Sequence, residues 1–388
     1  MKRFDYLIAG GGMAAASAIK GIRQLDREGS IGLVGAEIDP PYDRPPLSKS
    51  LWKGKPLEAI WMESDGAELI LGRALVELKS SNHTLRCDDG TWLEYGQLLI
   101  ATGGRPRRLP FPASQVLYLH DLADYRALRA SCAWARRFLV VGGGFIASEI
   151  AAALAELGKE VTMAFPEAGL ASRILPNELS LFLNERFRAK GVELLCGDSL
   201  VSLESRAALQ VAGCRSGREL AADVVVAGLG IEPNAELAVE AGLLVEDGIA
   251  VGPDLRTSEG EVFAAGDVAS YRCEALGGRI RCEHEDNALA MGLAAGRNMA
   301  GAAEEYGRIP YFYSDLFDLG YEAVGEPDPE AETVVDWRRP FEEGTIYYLR
   351  GGRVRGVVLW NLRKRVSAAR DLVASPLPLS ARELSGRL

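Results

Sequence analysis

A strand–glycine–helix unit occurs twice in this chain, and the repeat restricts the possible folds more than any other feature of the sequence. Residues 4–15 and 138–149 each contain an apolar stretch, three glycines and an alanine-containing helical stretch. The G-x-G-x-x-A positions are Gly10, Gly12 and Ala15 in the first copy and Gly142, Gly144 and Ala147 in the second. The first glycine permits a tight turn, the second lets backbone approach a pyrophosphate, and the alanine keeps helix and strand close. One such turn is weak evidence, but two copies predict two nucleotide sites in an α/β fold.

An acidic residue follows the next strand after each glycine turn. Glu37 lies roughly 20 residues after the first turn, where a carboxylate can accept the ribose hydroxyls of an adenosine. The alternative is that Glu37 is a solvated loop residue. In the second copy, Phe165 occupies the usual acidic position and Glu167 follows it. A carboxylate at Glu167 would repel a 2′-phosphate, so if this turn binds a nicotinamide dinucleotide we expect NADH in preference to NADPH.

Other apolar strands end in small residues, so that a ligand or another backbone segment can approach them closely. The strand-end residues are Ala101, Thr102 and Gly103 in the first, Gly230 in the second, and Gly266 and Asp267 in the third. An aspartate directly after a buried strand lies at the carboxyl end of a sheet, where open α/β folds bind ligands. Asp267 is equally placed to cap a following helix, and the two roles are compatible.

Residues 41–52 form a stiff segment that carries positive charge. Pro45 and Pro46 fix the local backbone, and Arg44 and Lys49 flank them. Phosphate and reduced flavin both need a cation nearby, so the segment suits an anionic ligand. Composition alone would favour a rigid surface loop.

A Gly277-Gly278 pair predicts a two-residue hairpin turn. In that register Cys273 and Cys282 face each other at a distance that suits a disulfide, although two reduced thiols are the expectation in a cytosol. The six cysteines include no C-x-x-C pair, which argues against a zinc site or a thioredoxin-like couple, and we expect no metal.

From residue 310 the hydrophobic pattern changes to strict alternation, which predicts a small antiparallel α+β module. We expect strands at 321–324, 332–336, 345–349 and 353–360 and a helix at about 364–373. The cations of the last hairpin and the helix start are Arg350, Arg353, Arg355, Arg363, Lys364 and Arg365. They form either a solvated face or a docking patch for an acidic protein.

Length and charge exclude several classes of protein. The 388 residues imply more than one domain, and the net charge of −10 argues against a general binder of nucleic acid or of anionic membranes. No apolar run approaches the roughly 20 residues of a membrane span. Because the first strand is expected at Phe4, there is no room for a signal peptide, and we expect a cytoplasmic protein.

Two nucleotide sites without a metal signature or a cysteine couple indicate a two-cofactor redox enzyme. The order of the motifs resembles the pyridine-nucleotide-dependent flavoproteins of the glutathione-reductase fold, over essentially the whole chain. This resemblance implies FAD at the first turn and NAD(P)H at the second. It also implies two Rossmann-like three-layer domains, for FAD (1–108 and 235–308) and NAD(H) (109–234), followed by a C-terminal α+β interface domain (309–388).

The segment 44–49 narrows the resemblance to one branch. The disulfide reductases carry their redox cysteines near this place, whereas this chain has Arg-Pro-Pro-Leu-Ser-Lys. The chain is therefore similar to the ferredoxin and rubredoxin reductases of oxygenase systems and to the apoptosis-inducing factor. Residues 165–167, 282–286 and 313–325 resemble the apoptosis-inducing factor in particular. It has Tyr313 where the animal factor has tryptophan, and a shorter C-terminal domain, which argues against a cell-death role.

The resemblance implies roles for single residues. Lys49 and Glu149 would form a pair beside the flavin, with a purely structural pair as the alternative. Phe145 would gate the nicotinamide pocket, and Asp267 would hold the ribityl chain. The candidate catalytic residues are Lys49, Glu149 and His284, although His284 is expected to pack and hydrogen-bond rather than to act as acid or base. The further candidate cofactor-binding residues are Gly10, Gly12, Ala15, Glu37, Arg44, Ala101, Thr102, Gly103, Gly142, Gly144, Ala147, Glu167, Gly230, Gly266, Glu283 and Tyr313.

The implied function is that of an FAD-dependent NADH oxidoreductase. Hydride would pass from NADH to flavin N5, and electrons would pass on to a ferredoxin- or rubredoxin-type iron–sulfur carrier. One alternative is a redox sensor like the apoptosis-inducing factor, and another is a reductase of quinone, oxygen or another small molecule. A monomer or a homodimer is expected, with no nucleic-acid partner.

Overall fold

The computed structural model describes residues 1–112, 115–207 and 209–388. In chain order its strands are β1 (Lys2–Ala9), β2 (Ile31–Gly35), β3 (Ala67–Leu71), β4 (Leu75–Lys79), β5 (Thr84–Cys87), β6 (Trp92–Ile100), β7 (Gly104–Pro106), β8 (Val116–Tyr118), β9 (Arg137–Val141), β10 (Glu160–Phe165), β11 (Glu193–Cys196), β12 (Leu200–Arg206), β13 (Leu209–Cys214), β14 (Glu219–Ala222), β15 (Val224–Ala227), β16 (Ile231–Pro233), β17 (Val245–Glu246), β18 (Gly248–Ala250), β19 (Val262–Ala264), β20 (Ala269–Cys273), β21 (Gly278–Arg281), β22 (Tyr311–Leu316), β23 (Leu319–Gly325), β24 (Glu332–Arg339), β25 (Glu343–Arg350) and β26 (Arg353–Trp360).

The α-helices follow the same order. They are α1 (Met13–Leu25), α2 (Leu122–Ser131), α3 (Phe145–Glu156), α4 (Asn177–Ala189), α5 (Glu236–Glu240), α6 (Glu285–Met299), α7 (Val366–Ala374) and α8 (Ala381–Leu384). Short 3-10 turns at Pro45–Leu47 and Ser50–Lys53 flank Lys49. Among the described residues, no helix is long and apolar enough to cross a membrane.

The first compact unit comprises residues 1–44, 56–105 and 232–311. Its main sheet has the strand order β3-β2-β1-β6-β5-β4, with β19 paired to β6. The strands β3, β2, β1, β6 and β19 run parallel, with Tyr6 opposite Ile31 and Ile8 opposite Leu99. Helices α1 and α6 pack closely, since a side chain at Gly292 would collide with the Ala14 carbonyl oxygen. This parallel sheet places the carboxyl ends of β1, β6 and β19 at one edge.

One sequence prediction in this unit is wrong. The turn between β20 and β21 is a 3-10 turn, Glu274–Leu276, closed by Gly277 at φ 68°, and not a two-residue loop. Cys273 therefore lies opposite Gly278, and Cys282 lies beyond the paired residues. The extra turn residues shift the register, so the cysteines do not face each other and none of the six forms a disulfide.

The second compact unit comprises residues 45–55, 106–231 and 312–388, within the described ranges. Its parallel sheet has the order β11-β10-β9-β15-β8, and the antiparallel β12-β13-β14 forms a separate small sheet. All four residues of β15 are buried, as is typical of a central parallel strand with both faces covered. The predicted α/β class is confirmed.

The C-terminal sheet of the second unit has the order β22-β23-β26-β25-β24. The expected Gly351-Gly352 hairpin is confirmed, because Arg350 pairs with Arg353. Strand β22 was not predicted. Trp360 and Tyr348 belong to the same buried cluster as Phe138 and Ile150 of the parallel sheet and α3. The two sheets therefore share one core, and the division of this unit into two domains stays a prediction.

Candidate functional site

The first glycine turn connects β1 to α1 in the first unit. Gly10 has φ 127°, and a Cβ atom there would lie 2.1 Å from the carbonyl oxygen of Ala101, so only glycine fits. Gly12, the residue before α1, is different: a Cβ atom there would meet nothing closer than Arg44 Nε at 4.0 Å. The backbone therefore leaves no room for a side chain at Gly10 but leaves open space at Gly12. This is a cradle of the shape that a pyrophosphate needs.

Glu37 is held in place beside this turn. Its carboxylate accepts a hydrogen bond from Tyr42 Oη at 2.6 Å and pairs with Arg44. The side chain is 26% exposed, which does not fit the solvated-loop alternative. Arg44 comes from the stiff proline segment, so that segment supplies a cation to the same unit. Ribose binding by Glu37 stays a prediction.

The carboxyl ends of β6 and β19 carry the other candidate residues of this unit. Thr102 Oγ1 donates to the Asn234 carbonyl oxygen at 2.8 Å, and the Asn234 amide donates back to Thr102 at 2.9 Å. Burial raises the pKa of Asp267 to about 6, and the charge of Glu283 adds to the rise. Asp267 does not cap a helix, because strand β20 begins two residues later. Its environment is one in which a carboxyl group gains from a polar ligand.

His284 occupies the N-cap of α6. Its Nδ1 accepts from the backbone N–H of Asp286 at 3.4 Å, and its ring meets Tyr311 edge-on at 5.9 Å between centroids. These contacts are those of a packing and hydrogen-bonding residue. Glu283 is exposed and accepts from Arg281 at 2.6 Å.

The second glycine turn connects β9 to α3 in the second unit. Gly142 has φ 118°, and a Cβ atom there would lie 2.4 Å from the Gly228 carbonyl oxygen. A Cβ atom at Gly144 would have no neighbour within 4 Å among the described residues. Phe145 and Ile146 follow it and are 37% and 40% exposed. The tight and open positions of the first turn are thus repeated, with a more exposed helix start.

The acidic position of the second turn is divided between two residues. The ring of Phe165 is buried against the turn, where a Cβ atom at Gly143 would lie 2.9 Å from it. Glu167 is half-buried and pairs with Arg173 at 3.2 Å, and the Arg173 side chain is 86% exposed. Glu167 is therefore the carboxylate available beside this turn. Gly230, at φ 82°, has open space around it within the described part of the chain.

A buried ionic cluster in the same unit is centred on Glu149 of α3. Lys49 Nζ donates to both carboxylate oxygens of Glu149 at 2.8 Å. The Glu149 side chain is 1% exposed and that of Lys49 is 18% exposed. Ser48 and Ser314 also donate to this carboxylate, at 2.5 and 2.6 Å. The sequence predicted the Lys49–Glu149 pair through the resemblance but assigned no role to the serines, although each serine adjoins a candidate residue.

Aromatic rings pack beside Lys49 and at the start of α3. The Tyr313 ring centroid lies 5.0 Å from Lys49 Nζ, a cation–π distance. Phe145 packs on Phe312 and Tyr321, with centroids 5.3 and 6.1 Å apart. The second unit therefore brings together four of the residues named from sequence: Lys49, Glu149, Phe145 and Tyr313.

Three of the six cations of the predicted basic patch pair with the protein's own carboxylates. Arg350 pairs with Asp328 at 3.3 Å and Arg355 with Glu326 at 3.1 Å. Arg363 pairs with Asp315 at 2.8 Å. These contacts favour the solvated face over the docking patch.

Comparison with known proteins agrees with this geometry. The family model described as pyridine nucleotide-disulphide oxidoreductase matches residues 4–292. The chain is 36% identical to the anthranilate 1,2-dioxygenase system ferredoxin–NAD(+) reductase component of Burkholderia cepacia, over 97% of this chain and 95% of that protein. It is 31% identical to apoptosis-inducing factor 1, mitochondrial, of Dictyostelium discoideum, over 96% of this chain and 79% of that protein.

A solved structure shows the same fold. The covalent putidaredoxin reductase–putidaredoxin complex contains a chain that matches with a TM-score of 0.91 at 28% identity, covering 98% of this chain and 95% of that one. The resemblance inferred from the motifs is thereby confirmed. The chain belongs to the pyridine nucleotide-disulphide oxidoreductase family and is an FAD-dependent NAD(P)H oxidoreductase.

Proposed function

We propose that the protein oxidises NADH and delivers the electrons, through FAD, to a small iron–sulfur protein of the ferredoxin type. The observation that carries the proposal is the shared geometry of the two glycine turns. At Gly10 and Gly142 the backbone excludes a side chain, and at Gly12 and Gly144 it leaves open space above a helix N-terminus. This geometry supports a pyrophosphate site in each unit.

In the first unit the residues present suit FAD. Gly10, Gly12 and Ala15 would hold its pyrophosphate, and Glu37 would accept from its adenosine ribose. Asp267, at the end of β19, would accept from the ribityl chain. The donor set therefore offers N–H groups to an anion and carboxylates to hydroxyl groups, as a flavin dinucleotide requires.

In the second unit the residues present suit NADH. Gly142, Gly144 and Ala147 would hold the pyrophosphate, and Glu167 would accept from the adenosine ribose. A carboxylate there repels a 2′-phosphate, which favours NADH over NADPH. The exposure of the Phe145 ring at the start of α3 supports a role in controlling entry of the nicotinamide.

The reaction asks the protein mainly for orientation and charge. When bound, FAD supplies the group that takes up a hydride and releases electrons singly. No general base is required, and Lys49 and Glu149 are not needed as acid or base. The ammonium group of Lys49, fixed by Glu149, provides a positive charge that stabilises negative charge formed during reduction.

The ferredoxin-type acceptor is supported by the relatives. One is named as a ferredoxin–NAD(+) reductase component, and one solved neighbour is in complex with putidaredoxin. A second candidate function, a redox sensor, is favoured by the 31% identity to an apoptosis-inducing factor. The two candidate functions differ in the lifetime of the reduced protein. The carrier reoxidises an electron-transfer enzyme quickly, whereas a sensor stays reduced for a long time.

The test is anaerobic reduction by NADH, followed by mixing with a panel of acceptors. We expect rapid bleaching of the flavin absorbance and rapid reoxidation by a ferredoxin or rubredoxin, with slower reoxidation by quinone or oxygen. A reduced state that persists with every iron–sulfur acceptor and changes the oligomeric state would instead support the sensor. Lys49→Ala should slow the reduction in stopped flow, and an unchanged rate would reject the role of its charge.

A further inference from the structure

We propose that Ser48 and Ser314 are positioning residues that fix the Glu149 carboxylate and, through it, the Lys49 ammonium group for hydride transfer. The inference rests on the proposed function, because it assigns these serines a part in that reaction. The Ser48 hydroxyl also lies 3.5 Å from the Pro45 carbonyl oxygen, but its contact with the Glu149 carboxylate is shorter by 1.0 Å and is therefore the stronger of the two.

The two serines hold opposite oxygens of the same carboxylate. Ser48 Oγ donates to Oε2 of Glu149 at 2.5 Å, and Ser314 Oγ donates to Oε1 at 2.6 Å. Lys49 Nζ bridges both oxygens at 2.8 Å. An ionised carboxylate offers about four acceptor sites, so these contacts use its full capacity. The carboxylate can neither rotate nor accept a further proton donor without losing one of them.

Burial makes these contacts the available means of orienting Glu149. Ser48 is 5% exposed, Glu149 2% and Ser314 0%, so bulk water does not replace a lost donor. Hydrogen bonds to an ionised group are about twice as strong as those between neutral groups. A missing hydroxyl would leave an oxygen of a buried charge short of a donor, and the carboxylate would turn toward Lys49.

The contacts also join three separate segments of the second unit. Ser48 lies between two 3-10 turns, Glu149 on α3, and Ser314 on β22. Ser48 and Lys49 are adjacent in the chain and both donate to the Glu149 carboxylate. Two neighbouring side chains therefore anchor this segment to α3. Tyr313, the neighbour of Ser314, presents its ring to Lys49 at 5.0 Å. The direction of the ammonium group is therefore set by groups from both flanking segments.

The experiment compares Ser48→Ala and Ser314→Ala with two matched controls in the FAD-loaded enzyme. Ser148→Ala removes a buried hydroxyl one residue before Glu149 on the same helix, and within the described residues this hydroxyl has no hydrogen-bond partner. Ser131→Ala removes a buried hydroxyl that bonds the Leu128 carbonyl oxygen at 2.7 Å, as a purely structural serine does.

We expect each test variant to lower the single-turnover rate of reduction by NADH about tenfold, because misdirected charge slows a step that depends on orientation. The dissociation constant for NADH should change by less than about twofold. Ser314→Thr and Ser48→Thr, which keep the hydroxyl, should restore most of the rate. Both controls should react as the wild type does.

A second readout does not depend on activity. The shift of the thermal midpoint caused by Ser314→Ala is measured in the wild type and in a Glu149→Gln background, and likewise for Ser48→Ala. We expect a smaller shift in the Gln background, because the hydroxyl then bonds a neutral amide instead of a charge. Equal shifts in the two backgrounds would show that the hydroxyls do not act on the Glu149 charge.

The outcomes separate this inference from the function on which it rests. A wild-type enzyme that NADH does not reduce would end the proposed function, while the midpoint shifts would still report the serine–carboxylate contact. Wild-type reduction with unchanged rates in both alanine variants would overturn the inference alone. The inference would also be overturned if Ser131→Ala lowers the rate as much as the test variants do, because the loss of any buried serine hydroxyl would then slow the reduction.

Discussion

The two glycine turns have nearly the same backbone but different surroundings. Around the first turn, Met13 and the start of α1 are buried, and Glu37 is fixed by Tyr42 and Arg44. Around the second, Phe145 and Ile146 are exposed. The same fingerprint thus serves a closed setting in one unit and an open setting in the other. The closed setting suits a cofactor that stays bound, and the open one suits a nucleotide that must leave after each turnover.

The carboxylates beside the two turns also differ in how firmly their partners hold them. Glu37 has two partners, although its exposed fraction of 26% is close to the 28% of Glu167. Glu167 pairs with one arginine whose side chain is 86% exposed, and such a pair holds its geometry weakly. The difference supports the proposal that each fingerprint holds a pyrophosphate and that the neighbouring side chains set how long the nucleotide remains bound.

The largest expected effect comes from alanine at the glycines with positive φ. Gly10→Ala and Gly142→Ala force a Cβ atom to within 2.1 and 2.4 Å of a carbonyl oxygen, at φ values that strain any L side chain. Overpacking and strain together should cost about 3 kcal/mol or more in each. Gly10→Ala should also be purified with little FAD, whereas Gly142→Ala should keep its FAD and lose reduction by NADH.

The checks are the flavin absorbance per protein, the thermal midpoint and the reduction by NADH. Gly278→Ala is the control, because its Cβ atom would meet nothing within 4 Å of the described atoms and its φ is not in the strained range. Loss of FAD from both turn variants alike would remove the distinction between the two settings.

The turns could be predicted because their constraints are local. A tight strand-to-helix connection needs a glycine where φ is positive, and this requirement is written in the spacing of the residues themselves. The parallel strands that follow were predictable for the same kind of reason, since buried strands such as β15 consist of continuous apolar residues.

The features that failed depend on contacts between distant segments or on one extra turn residue. The Gly277-Gly278 pair has a two-residue hairpin pattern, yet the chain forms a 3-10 turn at Glu274–Leu276, and one such change shifts every partner along the strand. The contacts of Ser48 and Ser314 with Glu149 were missed because residues 101 and 165 positions from Glu149 meet it only in the folded chain.

The second-largest effect concerns aspartates, one in each unit, with opposite pKa shifts. Burial raises the pKa of Asp267 to about 6, so the folded protein binds a proton there that the unfolded chain releases. Stability from this group is present at low pH and falls as pH rises from about 4 to about 6. In the FAD-free protein, Asp267→Asn should raise stability at pH 7.5 by up to about 2 kcal/mol and change little at pH 4.

Asp198 provides the contrast, because the hydrogen bond from Ser216 lowers its pKa. Its stabilising effect is present above the unfolded pKa and is lost as pH falls, so Asp198→Asn should reduce stability at pH 7.5. Thermal midpoints from pH 4 to 8 measure both. A gain for Asp267→Asn that is the same at pH 4 and at pH 7.5 would show that its carboxyl group does not titrate in this window.

The third effect isolates the ligand sites without harming the fold. Alanine at Gly12 or Gly144 meets no atom closer than 4.0 Å among those described and needs no strained φ, so the thermal midpoint of the FAD-free protein should hardly move. The added methyl group would instead occupy the open space above the helix N-terminus. We expect about tenfold weaker FAD binding for Gly12→Ala and about tenfold weaker NADH binding for Gly144→Ala. Titration of each variant with FAD and with NADH checks that Gly12→Ala weakens only the binding of FAD and that Gly144→Ala weakens only the binding of NADH.

The smallest effect tests Glu167, the half-buried carboxylate of the second turn. Glu167→Gln removes the charge that repels a 2′-phosphate and releases Arg173, which is then free to attract it. Because both groups are near solvent, the change is worth only about 0.5–1 kcal/mol. The ratio of kcat/KM for NADPH to that for NADH should therefore rise about three- to fivefold. Glu37→Gln is the matched control, since its partners Tyr42 and Arg44 belong to the first unit, and it should leave this ratio unchanged. An unchanged ratio in Glu167→Gln would mean that another group sets the preference between the two nucleotides.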